Sequence, residues 1–278
     1  MRISSKATAG RRTAALLLAA AASLSALSSA RADDSAVAGP VAMRRLTQEQ
    51  YKSIIADVFG PTVKLGGRFE PDIRDAGLIA VGASQVSVTE AGIEQYDTMA
   101  RSIASQVVDP DHRRSLIPCK PANAADADDS CAKQFLAKAG RILYRRPLTD
   151  HELQTEVTAA ADAARKTKDF YNGLGLALAG MLEAPQFLFR QEVAEPDPDH
   201  TGQYRLDAYS KASRLSFFLW DTAPDAELLA AAESGDLNSD RGMAKQVDRL
   251  LASPRLEAGV RAFFADMLGF DAFDTLAK

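Results

Sequence analysis

The chain has 278 residues, 46% of them hydrophobic, with 33 Lys and Arg against 37 Asp and Glu, so its net charge is −4 with the three histidines neutral. That length can build one large core or two small ones. The basic residues are dispersed rather than gathered in a stripe, which argues against a nucleic-acid partner and gives no support to binding an anionic lipid surface.

Residues 1–32 read as a secretory signal peptide. Arg2, Lys6, Arg11 and Arg12 precede the apolar run AALLLAAAASLSAL, and ARA before Asp33 is a small-residue cleavage site. The run is too short, and too interrupted by Ser23 and Ser25, for the about 20 apolar residues of a membrane span. Sec-type export to the periplasm or the medium is therefore expected, Arg11-Arg12 being a poor twin-arginine signal, with no membrane insertion after cleavage. No cysteine follows the site, so a lipid anchor is not indicated. Cleavage takes away five positive charges and no negative ones, leaving −9.

Residues 33–43 form a flexible lead-in, and a first helical module is expected over 44–110. In TQEQYKSIIADVFG, Thr47 and Gln50 have capping-box spacing, Tyr51, Ile54, Ile55, Val58 and Phe59 make one apolar stripe, and Gly60 can end the helix. Residues 61–86 lack either periodicity and read as one long irregular loop. A second helix follows, with Ser87 and Glu90 as its box and Ile93, Tyr96, Ala100, Ile103 and Val107 inside.

A second module is expected over 111–194. Cys119 and Cys131, the chain's two cysteines, would meet an oxidising space after export. A disulfide is the first reading, free thiols the second and a cofactor site the last. Zinc would need two more good ligands, and no histidine stands in paired spacing with a cysteine. The stripe Phe135, Leu136, Ala139, Ile142 and Leu143 ends at Pro147, and Thr149 with Glu152 boxes the next helix. FYNGLGLALAGMLEAPQFLF is the most apolar stretch, a central helix that Pro185 should kink or break.

Residues 195–203 are a linker by composition. A third module, 204–278, would hold four helices, the first capped by Asp207, the second bounded by Pro224 and Gly235, and the last opened by Pro254. Nothing alternates with period two for long. The fold class is thus all-α, built from short capped helices with one long irregular loop, in two helical subdomains.

Three stretches together resemble the planctomycete cytochrome-associated PSD family, exported proteins built from domains of unknown function. MRRLTQEQYKSIIADVFG with RFEP resembles its first module, CAKQFLAKAGRILYRRPLTDHEL with LALAGMLEAPQFLFRQE its second, and YRLDAYSKASRLSFFLWDTAPDAELLAAAESGDL through RAFFADMLGF its third. The resemblance implies an exported, helical protein without an assigned reaction. It also implies further modules, and in many members a c-type haem module. This chain has no Cys-x-x-Cys-His, so covalent haem could sit only in a partner or a further module. It stops at DAFDTLAK where relatives continue, so a C-terminally truncated chain is expected. The last helix should then leave Phe263, Phe264, Met267, Leu268 and Phe270 uncovered.

Candidate chemistry is sparse. Arg141, Arg145 and Arg146 near a helix end could cap it and form salt bridges, or clamp an anion or glycan. Asp197 and Asp199, with Gly202 at the sixth place, imitate half a calcium loop, but Ala208 stands where the bidentate Glu belongs, so a metal is disfavoured. His112, His151 and His200 read as surface residues. Gly173, Gly175 and Gly180 read as helix-packing positions, and Phe217, Phe218 and Trp220 as an aromatic core knot, with Trp220 a possible groove wall. No nucleophile, zinc-protease or phosphate-loop motif occurs. The expectation is a non-catalytic structural or interaction module working with further family modules or a c-type cytochrome. The alternatives are part of an exported redox or polymer-degrading enzyme whose reactive centre is elsewhere, and an anion- or glycan-binding domain.

Overall fold

The computed structural model describes residues 42–85 and 87–270. The expected signal peptide, most of the lead-in and residues 271–278 lie outside the described residues. The fold is all-α with two small two-stranded sheets.

Strand β1 (Met43–Arg45) leads into α1 (Gln48–Phe59). The expected box is present: Thr47 Oγ1 accepts the Gln50 amide at 3.2 Å, and Gln50 Oε1 accepts the Thr47 amide at 3.2 Å. Tyr51, Ile54, Ile55 and Phe59 are buried, and Gly60 ends the helix at φ 86°. The stretch 61–85 is mostly irregular, interrupted by the single turn α2 (Ile79–Gly82). It needs an organiser, because irregular backbone must find hydrogen-bond partners wherever it is buried. The buried Arg45 is one. Its guanidinium pairs with Glu70 at 2.7 Å and Asp72 at 3.7 Å and donates to the carbonyls of Pro71 at 3.0 Å and Ser87 at 3.4 Å.

Helix α3 (Glu90–Val108) departs from expectation in its first turn. The cap is Thr89, whose hydroxyl accepts the Gly92 amide at 3.1 Å, and not Ser87, which lies too far from the first free amides. Ile93 is 58% exposed rather than inside, because the inward side of that turn is Gly92. A Cβ there would meet the Glu70 carboxylate at 2.4 Å. Tyr96, Ala100, Ile103 and Val107 are buried as expected.

After the turn α4 (Arg113–Leu116), Cys119 and Cys131 form a disulfide, with Cα atoms 5.5 Å apart. The loop it closes is fixed at both ends. Asp128 caps α5 (Asp129–Leu143) by accepting the Cys131 amide at 3.0 Å and also accepts the Ala122 amide at 3.0 Å. Helix α6 (Asp150–Thr167) carries the Thr149–Glu152 box. The apolar α7 (Phe170–Glu183) packs on both α3 and α6. Of the three glycines flagged there, Gly173 is the one that closeness demands, since a Cβ would lie 2.3 Å from the Ala160 carbonyl. Pro185 ends α7 by starting a new turn, α8 (Pro185–Leu188). Strand β2 (Phe189–Gln191) then pairs antiparallel with β1, Arg44 opposite Arg190 and Arg45 opposite Phe189.

Where composition predicts a linker over 195–203, the chain folds into a hairpin of β3 (Ala194–Pro196) with β4 (Tyr204–Leu206). Three-residue strands are too short to show a period. Asp197 shapes the turn, its carboxylate accepting the Asp199 amide and meeting His200 Nδ1, each at 3.0 Å. Beyond lie α9 (Ala208–Trp220), capped by Asp207 as expected, α10 (Ala226–Glu233), α11 (Asp240–Leu251) and α12 (Leu256–Leu268). Phe217 and Trp220 are buried, the indole N–H donating to the Leu250 carbonyl at 3.0 Å. Phe218 is 74% exposed, not part of the knot, because successive helical residues point about 100° apart.

Buried apolar side chains form two clusters. One joins α1, α3, α5, α6, α7 and α8 and takes in Phe217 of α9 and Ala223 after it, so residues 44–110 and 111–194 share a core into which the third expected module also reaches. The other joins α9, α10 and α11. Polar bonds add to the apolar join made by Phe217 and Ala223. Gln50 Nε2 donates to Asp221 at 2.8 Å, Thr222 Oγ1 donates to Asp57 at 2.7 Å, and Arg214 holds Glu192 with two bonds of 2.7 Å. Arg190 lies 4.5 Å from the Phe217 ring centroid. Asp221 sits in the left-handed region at φ 54°, and burial pushes its carboxyl up to about 6, with Arg190 and the Gln50 bond opposing.

Two outcomes follow for stability. Changing both cysteines to serine should lower unfolding free energy by about 3 kcal/mol in denaturant titrations, as expected for a loop of this size. An unchanged midpoint would contradict a structural tether. For Asp221, the folded group keeps its proton between about pH 4 and pH 6 while the unfolded one releases it, so its contribution is lost as pH rises through that window. Asp221→Asn keeps an acceptor for Gln50 and tolerates the left-handed backbone. It should leave stability at pH 3.5 unchanged and raise it by about 1–2 kcal/mol at pH 8; a gain of equal size at both pH values would disprove the burial account.

Candidate functional site

The three arginines singled out as an anion clamp sit within one stretch of chain, yet their guanidinium groups go to three different places. Arg141, in the last turn of α5, crosses to Glu233 of α10 at 2.8 Å. Arg146 forks onto Glu152 with two bonds of 2.8 Å and donates to the Pro147 carbonyl at 2.9 Å. The bond to Arg146 holds the Glu152 carboxyl down to about 2. Arg145 turns inward. Its backbone takes φ 59°, its side chain is buried, and it donates to the carbonyls of Leu143, Gln186, Phe187 and Phe189 at 2.9, 2.6, 3.3 and 2.7 Å.

Arg145 thus does for residues 186–189 what Arg45 does for residues 70–87. Burial pulls its guanidinium down to about 9, and the neighbouring cations Arg190 and Arg146 add to that. It stays charged at neutral pH, held by carbonyl oxygens alone. Beside it lies a cavity of about 110 Å³, walled by Tyr144, Arg146, Gln186, Asp207 and Ser213. That volume suits a few waters, at about 30 Å³ each in the liquid. With two of its arginines already bonded and an aspartate in its wall, the cavity offers no open guanidinium fork.

The remaining candidates are placed as follows. Asp197 and Asp199 lie in the β3–β4 turn, where Asp197 serves the backbone and His200. Among the described residues no three His, Cys, Asp or Glu side chains are grouped to hold a metal. His151 and His200 are exposed, whereas His112 is half-buried with Nδ1 unbonded. Trp220 is core, covered by the guanidinium of Arg255 at 4.7 Å.

A second recess was not legible in the sequence. It lies between the start of α1, the irregular stretch 65–71 and the N-terminal half of α3, and is an open surface recess of about 560 Å³. Gln48 and Lys52 come from α1, Leu65, Arg68 and Phe69 from the irregular stretch, and Gln95 from α3. The Phe69 ring stands edge-on to Tyr51 at 5.3 Å, and the Lys52 ammonium lies 5.8 Å from its centroid. Gln95 Oε1 is buried without a hydrogen-bond partner. These residues come from three segments, one without periodicity, so no spacing rule could have joined them.

The roles of the arginines can be ranked by denaturant unfolding. Arg145→Met strands four carbonyls in the interior and should cost about 3 kcal/mol or more. Arg146→Ala should cost about 1 kcal/mol and Arg141→Ala less, because their partners reach solvent. Near-equal losses for all three would contradict this ranking.

Three family models match the chain in order. Residues 44–109 match PSD3, a protein of unknown function (DUF1587); residues 131–192 match PSD5 (DUF1595); and residues 206–278 match PSD4 (DUF1592). No curated protein and no solved structure matches. With the three models matched in order along it, the chain belongs to the planctomycete cytochrome-associated family.

Proposed function

We propose that the chain is an exported, non-catalytic interaction module of a larger cytochrome-associated architecture, and that α12 presents its docking face. The observation that carries this reading is the outer stripe of α12. Val260, Phe263, Phe264, Met267 and Leu268 follow helical spacing and are each between 45% and 55% exposed, with Phe270 beside them. On its inner side the helix is seated on α9 at Gly259, where a Cβ would lie 2.1 Å from the Leu219 carbonyl. Asp266 anchors it further by accepting the amides of Ile79 at 2.7 Å and Ala80 at 3.0 Å. A helix fixed so firmly, with its apolar stripe outward, has the form of an interface rather than of a frayed end.

Export is supported by the pattern of residues 1–32 and by the disulfide, which persists in oxidising compartments. Among the described residues no helix is long and apolar enough to cross a membrane. The charged clusters are engaged in internal bonds, which favours a structural module over a reactive centre.

Sedimentation of the chain with a c-type cytochrome fraction from the same cell envelope tests the reading, the partner being followed by its haem Soret absorbance. Absorbance should travel with the wild-type chain and be lost with Phe263→Ser/Phe264→Ser/Met267→Ser, whose melting temperature should shift little because these positions are exposed. Haem absorbance that never accompanies the wild-type chain would overturn the cytochrome assignment.

A further inference from the structure

We propose that the α12 stripe is one part of a composite docking surface, completed by Ile73 and Val81 of the first module, and that its occupant is an apolar protein surface. This rests on the reading of α12 as the docking helix and adds what the partner must touch.

Asp266 joins the two parts. Its carboxylate accepts the amides of Ile79 at 2.7 Å and Ala80 at 3.0 Å and pairs with Arg74 at 3.0 Å. Arg74 also donates to the carbonyls of Asp266 at 3.0 Å and Gly77 at 2.7 Å, so residues 74–80 are tied to α12 at several points. Ile73 and Val81 stand at the two ends of that tied stretch, 55% and 36% exposed. On the helix, Phe263 lies three positions before Asp266, and residues so spaced are neighbours on one surface. The exposed apolar side chains therefore continue from α12 onto the loop at this latch.

Size and charge define the occupant. Val260, Phe263, Phe264, Met267 and Leu268, about half exposed at roughly 200 Å² per large side chain, offer on the order of 500 Å². A specific protein interface covers about 800 Å² on each partner. A partner seated on α12 with an interface of that size must therefore reach beyond the helix, and Ile73 and Val81 supply apolar area where the latch adjoins it. The three charged residues of α12 are already paired, Glu257 with Arg261 at 2.7 Å and Asp266 with Arg74. On the loop side Asp75, next to Arg74, accepts from Gln85. With no surplus of positive charge, the face lacks the Lys and Arg by which surface helices hold anionic lipid. An apolar protein surface fits it, held by burial rather than by ion pairs.

Two titrations of the full chain and of Ile73→Ser/Val81→Ser test the assignment. The variant's melting temperature should shift little, because both positions are exposed. Towards 8-anilinonaphthalene-1-sulfonate, which reports exposed apolar surface, it should bind at least about two-fold more weakly, as should Phe263→Ser/Phe264→Ser/Met267→Ser. In sedimentation with the cytochrome fraction, the haem absorbance it carries should fall at least about five-fold. That carried by wild type should not fall between about 0.05 M and about 0.5 M NaCl. Wild-type dye affinity in Ile73→Ser/Val81→Ser, alongside a loss in the α12 variant, would overturn the composite surface while leaving α12 as the docking helix. Release of the partner by salt, or sedimentation of the chain with phosphatidylglycerol vesicles, would overturn the apolar protein occupant. Haem absorbance that never travels with wild type would instead refute the cytochrome reading, and the dye titration would still decide the composite surface.

Discussion

The structure turns on a guanidinium that has no carboxylate. Arg145 lies inside the protein with its donors on four main-chain carbonyls, one at the end of α5 and three along the break that follows α7. Pro185 forces that break, and a break in the middle of a core leaves oxygens that water cannot reach. Five donors in a fixed fork can satisfy several such oxygens at once, which a lysine could not do in the same geometry. The energetic cost of burying the cation is offset by the carbonyls it would otherwise leave unpaired.

Arg45 organises the other irregular segment through two carboxylates and two carbonyls, and the two arginines are linked. Arg45 stands opposite Phe189 in the β1–β2 pair, and the Phe189 carbonyl is itself a ligand of Arg145. The helical stripes therefore supply most of the buried area, but the segments between them are positioned by two inward-facing cations joined through one short sheet. That arrangement also determines where function can reside. Arginines committed to carbonyls or carboxylates offer no open fork to a ligand, which is consistent with the proposed docking face lying elsewhere, on the outer side of α12.

Sequence patterns were informative where one residue acts on its near neighbours. The Thr47 and Thr149 boxes, the Tyr51 to Phe59 stripe, the Pro185 break and the cysteine pair all depend on short-range spacing, and all stand in the fold as expected. The sequence was uninformative where distant groups decide. Thr89 rather than Ser87 became the cap of α3 with Glu70 beside it, nineteen residues upstream, and Gly92 rather than Ile93 faced inward for the same reason. The clamp of Arg141, Arg145 and Arg146 failed to assemble because the partners that divide it lie on α6, α8, β2 and α10. The recess beside Phe69 drew on three segments, one of them irregular, and left no trace in any local pattern.

Nitrogen-15 spectra of the arginine side chains test the central claim most directly. If Arg145 is clamped by four carbonyls, its terminal N–H protons should appear as separate, slowly exchanging signals with hindered rotation at neutral pH, unlike those of exposed Arg261. A single averaged signal for Arg145, exchanging as fast as that of Arg261, would mean that the buried guanidinium does not hold the break in the core.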